Sequence, residues 1–184
     1  MNKQALYEWM HTNVEVYGNK GHGKGYEYLC NPYESICDVG GGFTTFALDT
    51  KCPYKTVTDI SIIPMETQNK RGVAFWNCAA HQLNFKSDSI DIVTCFDVLE
   101  HIEPQFLDMS IANIFRIAKY KVLISVGYNE TTKTINGEVY KLHEIVESFK
   151  WWKDKISQYG KIISENKERK SFFFECETLI KIKE

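Results

Sequence analysis

The residues best suited to bind a ligand are three consecutive glycines, Gly40–Gly42, in the segment ICDVGGGFTTFA. They follow an apolar run that ends at Asp38 and is typical of a buried strand. Glycines let a ligand approach the backbone closely. We expect them to form a turn into a helix whose first N–H groups attract a carboxylate or a phosphate. An ordinary strand-to-helix turn would contain the same glycines, so a second signal is needed.

That second signal is Asp59, which ends the next predicted strand, 19 residues after Gly40. A carboxylate at this place can accept hydrogen bonds from both ribose hydroxyls of a nucleotide. The alternative is a surface aspartate that caps the turn between Ser61 and Pro64. Together, the glycines and Asp59 favour a ligand that contains a nucleoside.

Histidines are the candidate proton acceptors, because the ordinary imidazole pKa lies near neutrality. His143 is the first candidate and His101 the second, since both follow predicted strands whose carboxyl ends point to one edge of the sheet. His101 has a structural alternative, which is to pack against or cap the start of a helix. His22 lies in the glycine-rich segment YGNKGHGKG, which forms either a lid or a solvated loop.

Strands and helices alternate along the chain, which predicts an α/β fold with a mostly parallel sheet and helices on both faces. Five strands precede residue 129, and two more near the C-terminus are expected to form an antiparallel hairpin. We expect residues 1–33 to form an N-terminal helix and a glycine-rich lid segment, and residues 34–184 to form the main domain. Ligands of such sheets bind beyond the carboxyl ends of the strands.

Residues 34–182 resemble the Rossmann-like, class I S-adenosylmethionine-dependent methyltransferases. The resemblance rests on Asp38-x-Gly40-x-Gly42, on Asp59, and most specifically on VLEHI within SIDIVTCFDVLEHIEP. It implies a Rossmann-like seven-stranded sheet, S-adenosyl-L-methionine as the cofactor, and methyl transfer as the reaction. Because the chain has little beyond this core, we expect the acceptor to be a small molecule or a biosynthetic intermediate.

The resemblance also implies a role for each matching position. Asp38 would receive the methionine ammonium, directly or through water, while Gly40 and Gly42 would let the methionyl group approach the backbone. Asp59 would hold the ribose. Other positions would contact adenine (Ala79, Ala80 and His81) or border the sulfonium and its methyl group (Phe96 and Asp97). The chain departs from the family in two ways: Thr44 replaces a third glycine, and no acidic residue stands near Ala79 to meet the adenine amino group.

Three alternatives stay open. The metal ligands of RNA 3′-end 2′-O-methyltransferases are similar to four residues of this chain: Asp97, Glu100, His101 and His143. The leading hypothesis, in contrast, assigns no metal ligand. The glycines and Asp59 would also suit an NAD-dependent oxidoreductase, but a C-terminal antiparallel hairpin is not typical of that class. The third alternative is a non-catalytic subunit that binds the cofactor and supports a partner.

Composition narrows the choice of partners. The 184-residue chain has 22 Lys and Arg against 24 Asp and Glu, a net charge of −2, so nucleic acid is not expected as a partner. No apolar run approaches the roughly 20 residues of a membrane span, so no membrane partner is expected. Six cysteines without C-x-x-C spacing indicate reduced thiols in a cytoplasmic protein. The oligomeric state is left open.

Overall fold

A computed structural model describes residues 1–14 and 23–179 of the chain. The strands in this part are β1 (Ser35–Val39), β2 (Tyr54–Asp59), β3 (Ala74–Asn77), β4 (Ile90–Phe96), β5 (Ala118–Gly127), β6 (Thr132–Ile135), β7 (Glu138–Lys141), β8 (Gly160–Lys167) and β9 (Ser171–Thr178). The α-helices are α1 (Lys3–Asn13), α2 (Phe46–Asp49), α3 (Met65–Lys70), α4 (Pro104–Ile117) and α5 (Phe149–Ile156), and short 3-10 turns span Glu27–Cys30, Ala80–Gln82 and Leu99–His101.

Seven of these strands form one sheet in the order β3-β2-β1-β4-β5-β9-β8. The first five strands are parallel, whereas β9 runs antiparallel to both β5 and β8. The chain reverses direction across the sheet between β1 and β4, which makes their carboxyl ends the switch point where ligands bind. The predicted Rossmann-like seven-stranded sheet with a C-terminal antiparallel hairpin is therefore confirmed.

Apolar side chains bury the sheet on both faces. Helices α4 and α5 pack on one face, where Ile111, Ile114, Trp152 and Ile156 are fully buried. A separate cluster that includes Phe46, Val57, Val73 and Ile92 fills the other side. Because the central strands are enclosed on both faces, their ends are held in fixed positions around the site. Within the described residues, none of the helices has the length and apolar character needed to cross a membrane.

The glycines do not lead directly into a helix as expected. Helix α2 begins only at Phe46 and has four residues, while the N–H of Thr44 donates to the Gly41 carbonyl at 2.8 Å and closes a turn inside the loop. The predicted helix after the glycines is present but short, and an anion site at its N-terminus stays a prediction. A backbone loop, rather than a helix end, borders the site.

A second sheet of two strands follows β5 in the chain. Strands β6 and β7 form an antiparallel hairpin, and Asn136 and Gly137 make its turn with φ of 51° and 85°. Two positive φ angles are typical of the tight hairpin turn that the Asn-Gly pair favours. The hairpin packs against α1 through Leu6, Met10, Ile135 and Leu142, which form a small cluster of their own.

Candidate active site

A cavity of about 630 Å³ opens at the carboxyl ends of β1, β2, β4 and β5. Ten of the eleven residues given a role at the site line it: Gly40, Gly42, Asp59, Ala79, Ala80, His81, Phe96, Asp97, His101 and His143. Asp38 is the eleventh and lies below the cavity wall, with 3% of its surface exposed. The structure thus gathers at one cavity residues that are more than 100 positions apart in the sequence.

The glycine loop, Gly40–Gly42, has a backbone that other residues cannot adopt without strain. Gly40 has a φ of +72°, and a Cβ atom there would lie 2.4 Å from Cγ2 of Val98. Gly42 has a φ of +50°, and its Cβ would lie 3.1 Å from Nε2 of His11. Glycine is therefore required at both positions, by conformation and by close packing. The cavity here is bordered by backbone, which suits a ligand that must approach closely.

Asp38 supports the glycine loop from below. Its carboxylate accepts hydrogen bonds from the hydroxyls of Thr44 at 3.1 Å and Thr94 at 2.7 Å. Thr44, the residue that replaces the family's third glycine, therefore binds the Asp38 carboxylate and also lines the cavity. A contact between Asp38 and a ligand ammonium stays a prediction.

Asp59 lies at the end of β2 and lines the cavity with its carboxylate largely buried. The backbone N–H of Ser61 donates to its Oδ1 at 2.8 Å, and the backbone of Gly42 also hydrogen-bonds to the carboxylate. Burial nevertheless raises the pKa of Asp59 to about 7, because desolvation penalises the charge more than these bonds favour it. Asp59 thus caps the Ser61 turn while it lines the cavity, but it is buried and not a surface residue, and its contact with a ribose stays a prediction.

The wall predicted for adenine is apolar. Ala79 and Ala80 line it together with Ile60 and Cys78. The ring of His81 stacks on Phe106 with centroids 4.3 Å apart and an interplanar angle of 10°. Such a wall provides flat apolar surface for a base, and backbone groups for its polar edge.

Phe96 occupies the end of β4, where the sulfonium is expected. Its ring is buried and packs edge-on against Phe46, with the ring centroids 4.9 Å apart. The ring also lies close to Gly23, where an added Cβ atom would be 2.4 Å from Cε2 of Phe96. Asp97 follows with a φ of +53° and accepts a hydrogen bond from the Ser125 hydroxyl at 3.0 Å. This strained residue redirects the chain so that the following 3-10 turn faces the cavity.

Glu100, His101 and His143 form a cluster on the opposite side of the cavity, which we call the Glu-His-His cluster. The rings of His101 and His143 meet edge to face, with centroids 4.6 Å apart and an interplanar angle of 87°. One ligand-type atom from each of the three residues lies within 4.8 Å of the others. Of the four residues in the metal-dependent alternative, three therefore converge, and Asp97 is outside this group.

Burial suppresses charge throughout this cluster. Desolvation, reinforced by the nearby Asp97 carboxylate, raises the pKa of Glu100 well above its ordinary value. Desolvation, together with the neighbouring His143, lowers the pKa of His101 to about 3. The pKa of His143 is lowered too, mainly by burial. Both imidazoles are therefore neutral at physiological pH, and the lower pKa makes His101 the weaker proton acceptor of the two.

Helix α1 supplies three further residues that sequence reasoning missed: Lys3, Tyr7 and His11 line the cavity. Their spacing of four residues is the missing signal, because it places them on one helical stripe beside the buried Leu6 and Met10. Burial lowers the pKa of His11 to about 4. His22 and residues 17–22 of the predicted lid lie outside the described residues.

Comparisons with known proteins agree with this arrangement. A family model described as a methyltransferase domain matches residues 37–125. No functionally curated protein matches the chain. Among solved structures, a Pyrococcus horikoshii protein is similar at 14% identity and a TM-score of 0.70, covering 90% of this chain and 97% of that one.

Two other similar structures carry functional names. The Burkholderia thailandensis 1,6-didemethyltoxoflavin-N1-methyltransferase, with its substrate and S-adenosylhomocysteine bound, has 12% identity and a TM-score of 0.72, covering 95% of this chain and 85% of that one. The Synechocystis magnesium protoporphyrin IX methyltransferase, with bound S-adenosylmethionine, has 14% identity and a TM-score of 0.64, covering 97% and 98% of the two chains. At such identities these likenesses show the fold.

The family match begins inside β1 and ends inside β5, so it spans the glycine loop, Asp59 and two members of the Glu-His-His cluster. The predicted family, its cofactor and methyl transfer as its reaction are confirmed at this level. Residues 37–125 thus match a methyltransferase domain, in a chain whose sheet has the predicted Rossmann-like order.

Proposed function

We propose that this chain transfers the methyl group of S-adenosylmethionine to a small-molecule acceptor held between the glycine loop and α1. The observation that carries the proposal is the single cavity that joins the glycine loop, Asp59 and the Glu-His-His cluster within the described residues. A volume of about 630 Å³ is in the range typical of small-ligand sites. The small-molecule methyltransferases with similar folds are consistent with this size of acceptor.

Each part of the cofactor is assigned in this proposal to residues of the cavity. The methionyl group lies on the loop formed by Gly40 and Gly42, with Asp38 behind Thr44. The ribose hydroxyls donate to Asp59, and adenine lies against Ala79 and Ala80. Phe96 then borders the sulfonium, whose methyl group points towards the Glu-His-His cluster. Support for this orientation comes from the order of the strand ends, which places Asp59 and the cluster on opposite sides of β1 and β4.

The reaction needs little beyond positioning. The acceptor's lone pair forms a bond to the methyl carbon while the carbon–sulfur bond breaks, its electron pair passes to sulfur, and the acceptor releases a proton. His143, with His101 second, stays the prediction for the group that takes this proton. It is supported by the place of His143 on the cavity wall and by its Nδ1, which is buried without a hydrogen-bond partner among the described residues.

Helix α1 supports the choice of a small acceptor. The ammonium of Lys3 pairs with Glu144 at 2.6 Å and donates to the Lys141 carbonyl at 3.2 Å, which fastens the helix beside the cavity. We propose that residues 1–33 cover the acceptor, as their sequence predicts, and that residues 34–184 bind the cofactor. The net charge of −2 favours a small acceptor over nucleic acid.

A cytoplasmic location also stays a proposal. All six cysteines are free thiols, and burial raises the pKa of Cys30 and Cys176 to about 12, so these thiols resist oxidation. Reduced, buried thiols are what a reducing compartment favours.

Calorimetry with S-adenosylhomocysteine and NAD tests the proposed function. We expect the chain to bind S-adenosylhomocysteine and not NAD, and Asp59→Ala to weaken binding tenfold or more, because charge-assisted hydrogen bonds contribute about 1.5–3 kcal/mol each. The matched control is Asp108→Ala, which removes an exposed carboxylate on α4. Tighter binding of NAD, or equal affinity of the Asp59 and Asp108 variants, would contradict the assignment.

A further inference from the structure

We propose that Gln68 and Arg71 are positioning residues that hold the loop after β1 in the shape that receives the methionyl group of the cofactor. The inference rests on the proposed function, since it concerns the same cofactor site. Three consecutive backbone carbonyls of this loop, those of residues 42–44, accept hydrogen bonds from these two side chains at the end of α3. We call these three hydrogen bonds the α3 clamp.

Gln68 makes two of the three bonds with one amide group. Its Nε2 donates to the Gly42 carbonyl at 2.7 Å and to the Thr44 carbonyl at 3.0 Å. An amide nitrogen carries two hydrogens, so both of its donors are used. Nη1 of Arg71 donates to the Phe43 carbonyl at 3.0 Å. The α3 clamp therefore fixes the direction of three successive carbonyls, and with them the planes of the peptides to which they belong.

The burial of Gln68 indicates that this side chain serves the loop. All six residues of α3 are described, and Gln68 is the one among them that is buried, with none of its surface exposed. Polar side chains are buried where they make hydrogen bonds. The Gln68 Oε1 has no partner among the described residues, and the reversed amide would place that oxygen against two carbonyl oxygens. The carbonyls of the loop therefore determine the orientation of the amide.

Hydrogen bonds from the sheet hold the same loop. The N–H groups of Gly40 and Gly41 donate to the Thr58 carbonyl at 2.7 Å and 3.1 Å. The Thr44 hydroxyl donates to the Asp38 carboxylate, so Thr44 is bound to β1 through its side chain and to α3 through its carbonyl. The loop thus has two attachments, and the α3 clamp is the one that depends on two side chains outside the loop.

The α3 clamp acts on the ligand through the backbone of the cavity wall. Gly42 and Thr44 line the cavity, whereas Gln68 and Arg71 are not among the described residues that line it. A carbonyl oxygen is the negative end of a peptide dipole, and the methionyl group ends in a carboxylate. Carbonyls bonded to α3 are directed away from that carboxylate. A loop held in one shape also loses less conformational entropy when the ligand binds.

The test compares two ligands on the full-length chain by calorimetry. S-adenosylhomocysteine carries the amino-acid group, whereas 5′-methylthioadenosine has the same nucleoside without it. Gln68→Met removes both donors and should weaken S-adenosylhomocysteine about tenfold, which corresponds to about one net hydrogen bond. Binding of 5′-methylthioadenosine should change by less than about twofold on the same scale. Arg71→Ala should weaken S-adenosylhomocysteine by about two- to threefold, because Arg71 is exposed and water replaces part of its bond.

Each variant has a matched control. Gln158→Met removes an exposed glutamine whose Nε2 donates to the Asp154 carbonyl. Lys70→Ala removes an exposed cation of α3 that pairs with Glu66. Both controls should bind the two ligands as the wild-type chain does. Urea unfolding of every variant measures stability separately, and a loss of stability alone would not discriminate between the two ligands.

Two results would overturn the inference. One is a Gln68→Met chain that binds S-adenosylhomocysteine as tightly as the Gln158→Met control, and the other is an equal loss of affinity for both ligands. If Gln68→Met does not fold, the exposed Arg71→Ala decides, and equality with Lys70→Ala then contradicts the inference. A wild-type chain that binds neither ligand contradicts the proposed function and this inference with it. Wild-type binding with clamp variants equal to their controls contradicts this inference alone.

Discussion

The two sides of the cavity handle a buried carboxylate in different ways. At the glycine loop, the backbone of both Ser61 and Gly42 hydrogen-bonds to Asp59. At the Glu-His-His cluster, Glu100 has a backbone donor for one oxygen and none for the other among the described residues. The comparison teaches that backbone groups of two segments satisfy the Asp59 carboxyl, whereas one Glu100 oxygen has no donor in the described part of the chain.

The largest expected effect comes from the cluster. His143→Ala should lower the rate of methyl transfer by 10²–10⁴-fold and leave cofactor affinity unchanged, because it removes a group that faces the acceptor rather than the cofactor. Single-turnover assays and calorimetry measure the two quantities separately. The assays are repeated with a chelator: loss of wild-type activity indicates the metal, and retained activity indicates a protein base. A wild-type rate for the variant in both conditions would retire both roles and leave positioning alone.

A substitution in the glycine loop should have the opposite effect, because we expect it to change the affinity for the cofactor. Gly40→Ala combines a φ of +72° with a clash against Val98, so we expect about tenfold weaker binding of S-adenosylmethionine and a loss of about 1–3 kcal/mol in unfolding free energy. Gly72→Ala is the matched control, because Gly72 has a φ of +78° and nothing within 4 Å of the added methyl. If both variants bind equally well, close packing at Gly40 does not shape the cofactor site.

The last prediction concerns the pH dependence of stability at Asp59, a substitution expected to leave the fold itself unchanged. Its pKa rises from 3.8 to about 7 on folding, so the native state binds the extra proton and stability falls as pH rises between these values. The contribution lost is at most about 4 kcal/mol. Asp59→Asn keeps an acceptor for the Ser61 N–H and has no charge to bury. Urea unfolding at pH 5 and pH 8 should therefore show a smaller decline for the variant than for wild type. Equal declines would show that Asp59 does not titrate between these pH values.

The site residues that could be predicted from the sequence are those that lie in short segments at the ends of strands. Asp38, the glycines and Asp59 each end or follow a strand, and a parallel sheet brings such ends together whatever the details of packing. The hydrogen bond between Thr44 and Asp38 was not predictable, because it joins two side chains across the glycine loop. The role of Gly127 was not predictable either, because it depends on two side chains from distant segments meeting at one point.

The surface against which α1 packs could not be predicted from the sequence either. Leu6 and Met10 lie one helical turn apart, a spacing that indicates a buried face, but the spacing does not identify the β6–β7 hairpin as the surface that covers it. Long-range packing of small clusters depends on shape, which residue type alone does not specify.

The hairpin contact has a consequence for biosynthesis. The Lys3 ammonium and the Lys141 carbonyl that it meets are 138 positions apart, and the apolar partners of α1 lie in the same late segment of the chain. A ribosome therefore releases α1 first, but the surface that α1 needs emerges only after β5. The acceptor side of the cavity is then the last to form, because closing such a long loop is slow compared with pairing neighbouring strands. A nascent chain stalled before residue 132 should carry the glycine loop and Asp59 without the wall that selects an acceptor.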